Sequence, residues 1–160
     1  MQETDMTAPG RLLGLDHGQK VIGVAVSDGS GLIARPLTRI TRTTRAKDFE
    51  AIRRLCTEQS VVGVVVGLPE TPPGFTGVSQ AETARNWALR LAGQVSIPVY
   101  LWNETLSTFE AQELAETHGR SATERVDDWA AAVLLSSLLE HLREGGAFPE
   151  PLQGRKRSYG

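Results

Sequence analysis

The sequence predicts an α/β domain whose sheet starts antiparallel and continues parallel, five strands in all, flanked by helices. Three observations carry this. Two apolar runs, Arg11–Asp16 and the second, richer in β-branched residues, Val21–Ser27, face each other across the short turn His17-Gly-Gln-Lys20, which reads as a β-hairpin. Val61-Val-Gly-Val-Val-Val-Gly67 is an unbroken apolar run, the mark of a strand buried on both faces. The later apolar runs alternate with helical periodicity, which predicts crossovers that add parallel strands.

In chain order, residues 1–10 read as a disordered leader. After the hairpin, Gly29, Ser30 and Gly31 mark a turn, and Leu32–Thr41 returns as a third, more polar strand. Ala46–Gln59 repeats apolar residues at Phe49, Ile52, Leu55 and Cys56, which is helical spacing. The Val61 strand follows, then a loop over Leu68–Val78 with three prolines and two glycines. Ser79–Gln94 is a second helix, with Ala84, Trp87, Ala88, Leu91 and Ala92 on its apolar side. Ile97–Trp102 is the fifth strand, with Asn103 and Glu104 at its end. Ser107 or Thr108 can cap a helix through Thr117, and Thr123 opens a last helix to about Arg143. Residues 11–143 form one domain, and 144–160 read as a flexible basic tail containing Arg155, Lys156 and Arg157.

A net charge of -2 does not advertise a nucleic-acid partner, but the charges are segregated. Gly31–Arg54 carries seven Lys or Arg against Asp48 and Glu50, whereas Glu104–Asp128 carries seven acids against Arg120 and Arg125. A basic half can steer a polyanion toward an acidic half that holds metal. The single cysteine, Cys56, excludes an intramolecular disulfide or a thiolate zinc cage and suits a reducing compartment. It sits among apolar residues and reads as core filler. No apolar run approaches the ~18–20 residues that span a bilayer, and the first ten residues lack the apolar stretch of a secretory signal. The expected location is the cytoplasm, with no membrane partner.

Active groups of open α/β sheets gather beyond the carboxyl ends of the strands. Asp16 ends the first strand, Glu104 follows the fifth, and Asp127 opens the last helix. Like charges held together raise one another's pKa, a cost that hard divalent cations on oxygen ligands relieve. Each acid also has an ordinary reading: a turn former at Asp16, a solvated side chain at Glu104, a helix-dipole partner at Asp127. Helical periodicity does not choose between Asp127 and Asp128. His17 adjoins Asp16 but alternates to the opposite face.

At these residues the sequence resembles the bacterial YqgF/RuvX family, described as Holliday-junction resolvases and pre-16S rRNA nucleases. The landmarks are Leu13-Gly-Leu-Asp-His-Gly18, Ile22-Gly-Val-Ala-Val-Ser-Asp28, Val64-Val-Val-Gly-Leu-Pro69, Glu104-Thr-Leu-Ser-Thr108, and Val126-Asp127 leading into Ala130-Ala-Ala-Val-Leu-Leu135. Together they span Leu12 to Leu142, in order. The resemblance implies a ribonuclease-H-like fold and a metal-dependent endonuclease. It makes Asp16, Glu104 and Asp127 the catalytic trio that binds Mg²⁺ or Mn²⁺, and it prefers Asp127 over Asp128. The implied substrate is structured nucleic acid, either the 5′ end of pre-16S rRNA or a four-way DNA junction, with a homodimer as the candidate assembly. Lys20, Arg35, Arg39, Arg42 and Arg45 are the expected phosphate contacts. Two departures stand out: Asn103-Glu104-Thr105 replaces the Asp-Glu-Arg common in relatives, and Ala130 stands where related resolvases often carry a fourth acid. They leave a non-catalytic RNA-binding ribosome-assembly factor as the alternative. The Asp16-His-Gly18 hairpin also resembles the phosphate-binding element of actin-like ATPases, but those clamp nucleotide between two such domains.

Overall fold

The structure, a computed structural model, describes residues 9–69, 71, 73–103 and 126–154, the side chains of 126 and 127 excepted. Its elements are β1 (Leu12–His17), β2 (Val21–Ser27), β3 (Ala34–Thr41), α1 (Arg45–Gln59), β4 (Gly63–Leu68), α2 (Gln80–Ala92), β5 (Val99–Asn103) and α3 (Val126–Arg143). The strands form one sheet in the order β3-β2-β1-β4-β5. β2 pairs antiparallel with β1 and with β3, while β4 pairs parallel with β1 and with β5. This is the five-stranded mixed sheet that the pattern predicts, and it has the ribonuclease-H-like arrangement that the family resemblance implies.

Strand alternation divides the apolar residues between two layers. Leu13, Leu15, Ile22, Val24, Val64 and Val66 pack with Phe49 and Ile52 of α1 and with Trp87 and Leu91 of α2. Leu12, Ala25 and Val65 on the other face pack with Ala131, Leu135 and Leu138 of α3. β4, β1 and β2 are buried on both faces, which is why they read as continuous apolar runs rather than alternating ones. Gly14 lets α3 approach β1 closely. A Cβ there would stand 3.2 Å from Cβ of Leu135 and 3.3 Å from the Ala131 carbonyl oxygen.

Local chemistry fixes the helix ends. Thr44 Oγ1 accepts from the Lys47 N–H at 3.2 Å, and Ser79 Oγ accepts from the Glu82 N–H at 3.1 Å, so both helices start on a side-chain cap. α1 stops at Ser60, whose φ of 55° is left-handed and whose N–H turns back to the Thr57 carbonyl. β3 carries an irregularity opposite Val24/Ala25: Val24 pairs with Thr38 and Ala25 with Pro36, leaving Leu37 as an extra residue.

The stretch expected to be a flexible tail differs from that expectation as far as Gly154. Leu152 donates its N–H to the Val99 carbonyl at 2.8 Å and packs against the core between sheet and helices. Phe148 stacks on Tyr100 with ring centroids 5.0 Å apart. The apolar residues Phe148 and Leu152 supply the burial that the basic residues farther on obscure in the sequence. The helix expected over 107–117 and the residues 123–125 lie outside the described residues, as do 1–8 and 155–160.

Candidate active site and nucleic-acid interface

β1 is the central strand, and its carboxyl end presents Asp16, half-buried. Leu12 and Gly14 face α3, so alternation puts Asp16 on that face too. Register then defines its neighbours. Asp16 pairs with Gly23 of β2, and Gly23 pairs with Arg39 of β3. On the other side Leu15 pairs with Val66, which sets Asp16 level with Gly67, and Gly67 pairs with Trp102. One row therefore crosses the sheet on the α3 face: Arg39, Gly23, Asp16, Gly67, Trp102.

The two glycines give this row its shape. Adjacent strands lie only about 4.8 Å apart, so a side chain at either position would stand beside the Asp16 carboxylate. With glycine at both, neither neighbouring strand sets a side chain of its own beside the Asp16 carboxylate. The sequence did carry a signal, since glycine inside a β-branched run marks close approach of another group. Only the register shows that Gly23 and Gly67 flank the same residue. Trp102 closes the row, its indole N–H donating to Ser137 Oγ of α3 at 3.2 Å.

Above this row stands the first turn of α3. Ala131 lies over Gly14, and Asp127 and Asp128 precede it by one turn, toward the end of β1 that carries Asp16. Acids in the first turn of a helix are favoured by its dipole. Asp128 is buried, and its Oδ1 accepts from the Trp129 N–H at 3.1 Å. Asp127 is the second residue of α3. Glu104 lies outside the described residues, next after Asn103, which pairs with Leu68 at the end of β5. Leu101 packs on the α1/α2 side, and Tyr100 and Trp102 on the α3 side, so alternation assigns Asn103 to the face opposite Asp16. The Asp-to-Asn departure at 103 thus falls off the Asp16 face. Ala130 is half-buried and brings no donor.

His17 turns to the α1/α2 side, as alternation predicts. Its ring stacks on Trp87 at 4.5 Å, and Trp87 in turn meets Phe49 at 5.5 Å. Burial, with help from the charge of Arg42 and against that of Asp48, pushes its pKa down to about 4. Burial also pushes the Cys56 thiol up to about 11, in keeping with a packing role.

The five expected phosphate contacts separate. Lys20 and Arg35 are exposed, Lys20 in the β1–β2 turn and Arg35 in β3, where it pairs with Val26 and so shares the face away from Asp16. Arg39 shares the face and row of Asp16. Arg45 is exposed at the start of α1. Arg42 is largely committed within the protein. Its Nη1 donates to the Gly18 carbonyl at 2.9 Å and the Gln19 carbonyl at 3.3 Å, and its Nε lies 3.8 Å from Oδ2 of buried Asp48. Asp48 Oδ1 also accepts from the Thr43 N–H at 3.1 Å. Arg42 thus ties the hairpin turn to the start of α1. Among the described residues no group of three or more His, Cys, Asp or Glu is gathered for a metal, and no helix is long and apolar enough to cross a membrane.

Residues 10–141 match the family model for RuvX, described as Holliday junction resolvase. The chain belongs to the RuvX family. A Thermoanaerobacter pseudethanolicus relative is 40% identical over 134 residues, covering 81% of this chain and 96% of the relative. A Synechocystis relative is 40% identical over 141 residues, covering 84% and 92%. Each bears the name "Putative pre-16S rRNA nuclease". Among solved structures, Thermus thermophilus RuvC superposes with a TM-score of 0.59 at 15% identity, covering 88% of this chain and 99% of that one. RuvC in complex with a Holliday junction substrate gives 0.58 at 18%, with the same coverage. These likenesses establish the fold of this RuvX chain; its chemistry rests on its own residues.

Proposed function

We propose that this RuvX-family chain is a metal-dependent endonuclease that hydrolyses phosphodiesters in structured nucleic acid, with Asp16, Glu104 and Asp127 as its catalytic acids. One observation carries the reading: Asp16 ends the central strand between two glycines, beneath the acidic first turn of α3. A carboxylate flanked by two glycines, with a second acidic segment above, suits a phosphate held through a cation better than a packing contact. Oxygen donors of this type fit a hard ion, Mg²⁺ or Mn²⁺, and the neighbouring imidazole of His17 faces the other way. Such ions, when bound, activate water and stabilise the leaving oxygen.

The chain's own groups have distinct parts to play. Asp16, Glu104 and Asp127 would hold the cation. Gly23 and Gly67 leave space for a phosphate beside Asp16. Arg39, along the same row, contributes positive charge toward the substrate backbone, and such phosphate contacts position without reading sequence. The names of the curated relatives favour the 5′ end of pre-16S rRNA as substrate, and the family description favours a four-way DNA junction. A homodimer is the proposed assembly and the cytoplasm the proposed location. The test offers a four-way junction, duplex DNA and structured pre-rRNA side by side with Mg²⁺ or Mn²⁺, to wild type and to Asp16→Asn. Metal-dependent cleavage by wild type alone is expected. Binding without cleavage by wild type would instead make the chain an RNA-binding assembly factor.

A further inference from the structure

On the face of the sheet away from Asp16, but at the same strand end, α1 and α2 leave a cavity of about 230 Å³. Arg42 and Arg45 line it from the start of α1, Arg90, Asn86 and Thr83 from α2, and His17 from β1. A smaller hollow of about 130 Å³ adjoins it, reaching Gly18 and Gln19 of the hairpin turn and Gln80 of α2. Among the described residues, no acid lines either space. Asp48 partly offsets Arg42, but among the described residues neither Arg45 nor Arg90 has an ion-pair partner. His17 Nε2 is buried without a hydrogen-bond partner there.

Two physical arguments say what belongs in this space. A helix amino terminus carries partial positive charge, and cations near it are disfavoured. α1 nevertheless opens Arg45-Ala-Lys47, with Arg42 just before it and Asp48 as the acid of its first turn. An anion between these groups removes the conflict. The donors also suit one anion class: guanidinium forks match phosphate oxygens, and the Asn86 and Gln80 amides add neutral donors.

We infer that this cavity is a phosphate subsite, which holds a backbone phosphate of the polynucleotide outside the cleavage centre. This rests on the nuclease reading. Asp16 and His17 are consecutive and face opposite ways, so a strand leaving the Asp16 face crosses the Gly18–Lys20 turn and meets the cavity on the far side. The subsite would hold substrate along the rim of the sheet, and Lys20 lies on that path.

The experiment uses the full chain with Arg45 and Arg90, both exposed, replaced together by Ala. Fluorescence anisotropy with labelled pre-rRNA and a labelled four-way junction is followed over a salt series in Ca²⁺, beside Asp16→Asn as a catalytic control. Roughly ten-fold weaker binding is expected, with a log–log salt slope shallower by about one to two units. NMR of the Asn86 side-chain amide, titrated with inorganic phosphate and with a 5′-phosphorylated dinucleotide, distinguishes the sources of phosphate. A shift with both, blocked by the longer RNA or junction, supports the subsite. A shift that neither polynucleotide competes away would overturn the polynucleotide occupant in favour of a free phosphate or mononucleotide. Unchanged affinity and slope in the double variant would overturn the subsite itself. In that case loss of cleavage in Asp16→Asn would leave the nuclease reading standing, so the two failures are separable.

Discussion

Asp16 and Arg39 lie in one row on one face of the sheet, with Gly23 the only residue between them. Asp16 of β1 and Arg39 of β3 are therefore separated by a position that carries no side chain. Gly23→Val should fill it. Valine suits a strand, so secondary structure by circular dichroism should persist while cleavage falls on the order of 10²-fold, the scale set by small misplacements at a reacting centre. Full activity in a folded Gly23→Val protein would show that the row is not part of the site.

The last helix offers two adjacent acids. Asp128 is buried and bonded to its own helix turn, whereas Asp127 is the one the family match favours. Asp127→Asn should remove metal-dependent cleavage and leave the melting temperature nearly unchanged. Asp128→Asn should lower the melting temperature and retain measurable turnover. Parallel activity and calorimetry on the two variants check this, and the reverse ranking would place the register one residue along.

Arg39 of β3 and Arg42, just beyond the end of that strand, should behave differently. Arg42→Ala leaves the Gly18 carbonyl and the buried Asp48 short of a partner, a loss of about 1–3 kcal/mol by the usual cost of such groups. Urea denaturation should record that loss, and Asp48→Asn in the Arg42→Ala background should recover part of it. Arg39→Ala, on the face of Asp16, should weaken nucleic-acid binding, and anisotropy with a labelled four-way junction should record that loss.

His17 sets a pH dependence with a definite sign. Its folded pKa, about 4, lies below the ordinary 6.5, so between those values the unfolded chain binds a proton that the folded imidazole does not. Stability from this group is complete above about pH 6.5 and is lost progressively as pH falls toward 4. His17→Phe keeps a ring against Trp87 without the proton. In metal-free buffer its melting temperature should fall less than that of wild type between pH 7 and 4. Equal slopes would mean that burial does not hold this imidazole neutral.

Much of the fold is legible in the sequence because its strands and helices obey different periods. The hairpin across His17–Lys20, the buried run at Val64–Val66 and the helix carrying Phe49 and Ile52 each stand close to where the pattern puts them. The face of His17 follows from counting by twos. What pattern does not reveal is register. Gly23, Gly67 and Arg39 are far apart in the chain and become neighbours of Asp16 only through strand pairing, with the extra Leu37 in β3 shifting the count. Arg42 looks like any other arginine of a basic segment until its bonds to Gly18 and Gln19 are seen. Arg90 sits on a helix whose apolar stripe dominates its reading, so the cavity it lines leaves no mark in the linear sequence.

The bond from Leu152 to Val99 has a consequence for how the chain is made. β5 is an outer strand, and an uncovered outer strand is a template on which another chain can pair. Among the described residues the cover comes from the segment that follows α3, translated well after β5 itself. During synthesis, which proceeds at about 5–20 residues per second, the outer strand stays open for several seconds. Self-association should then be a hazard of the nascent chain rather than of the finished molecule, and a chaperone that shields β5 in that interval would raise yield without altering the mature protein.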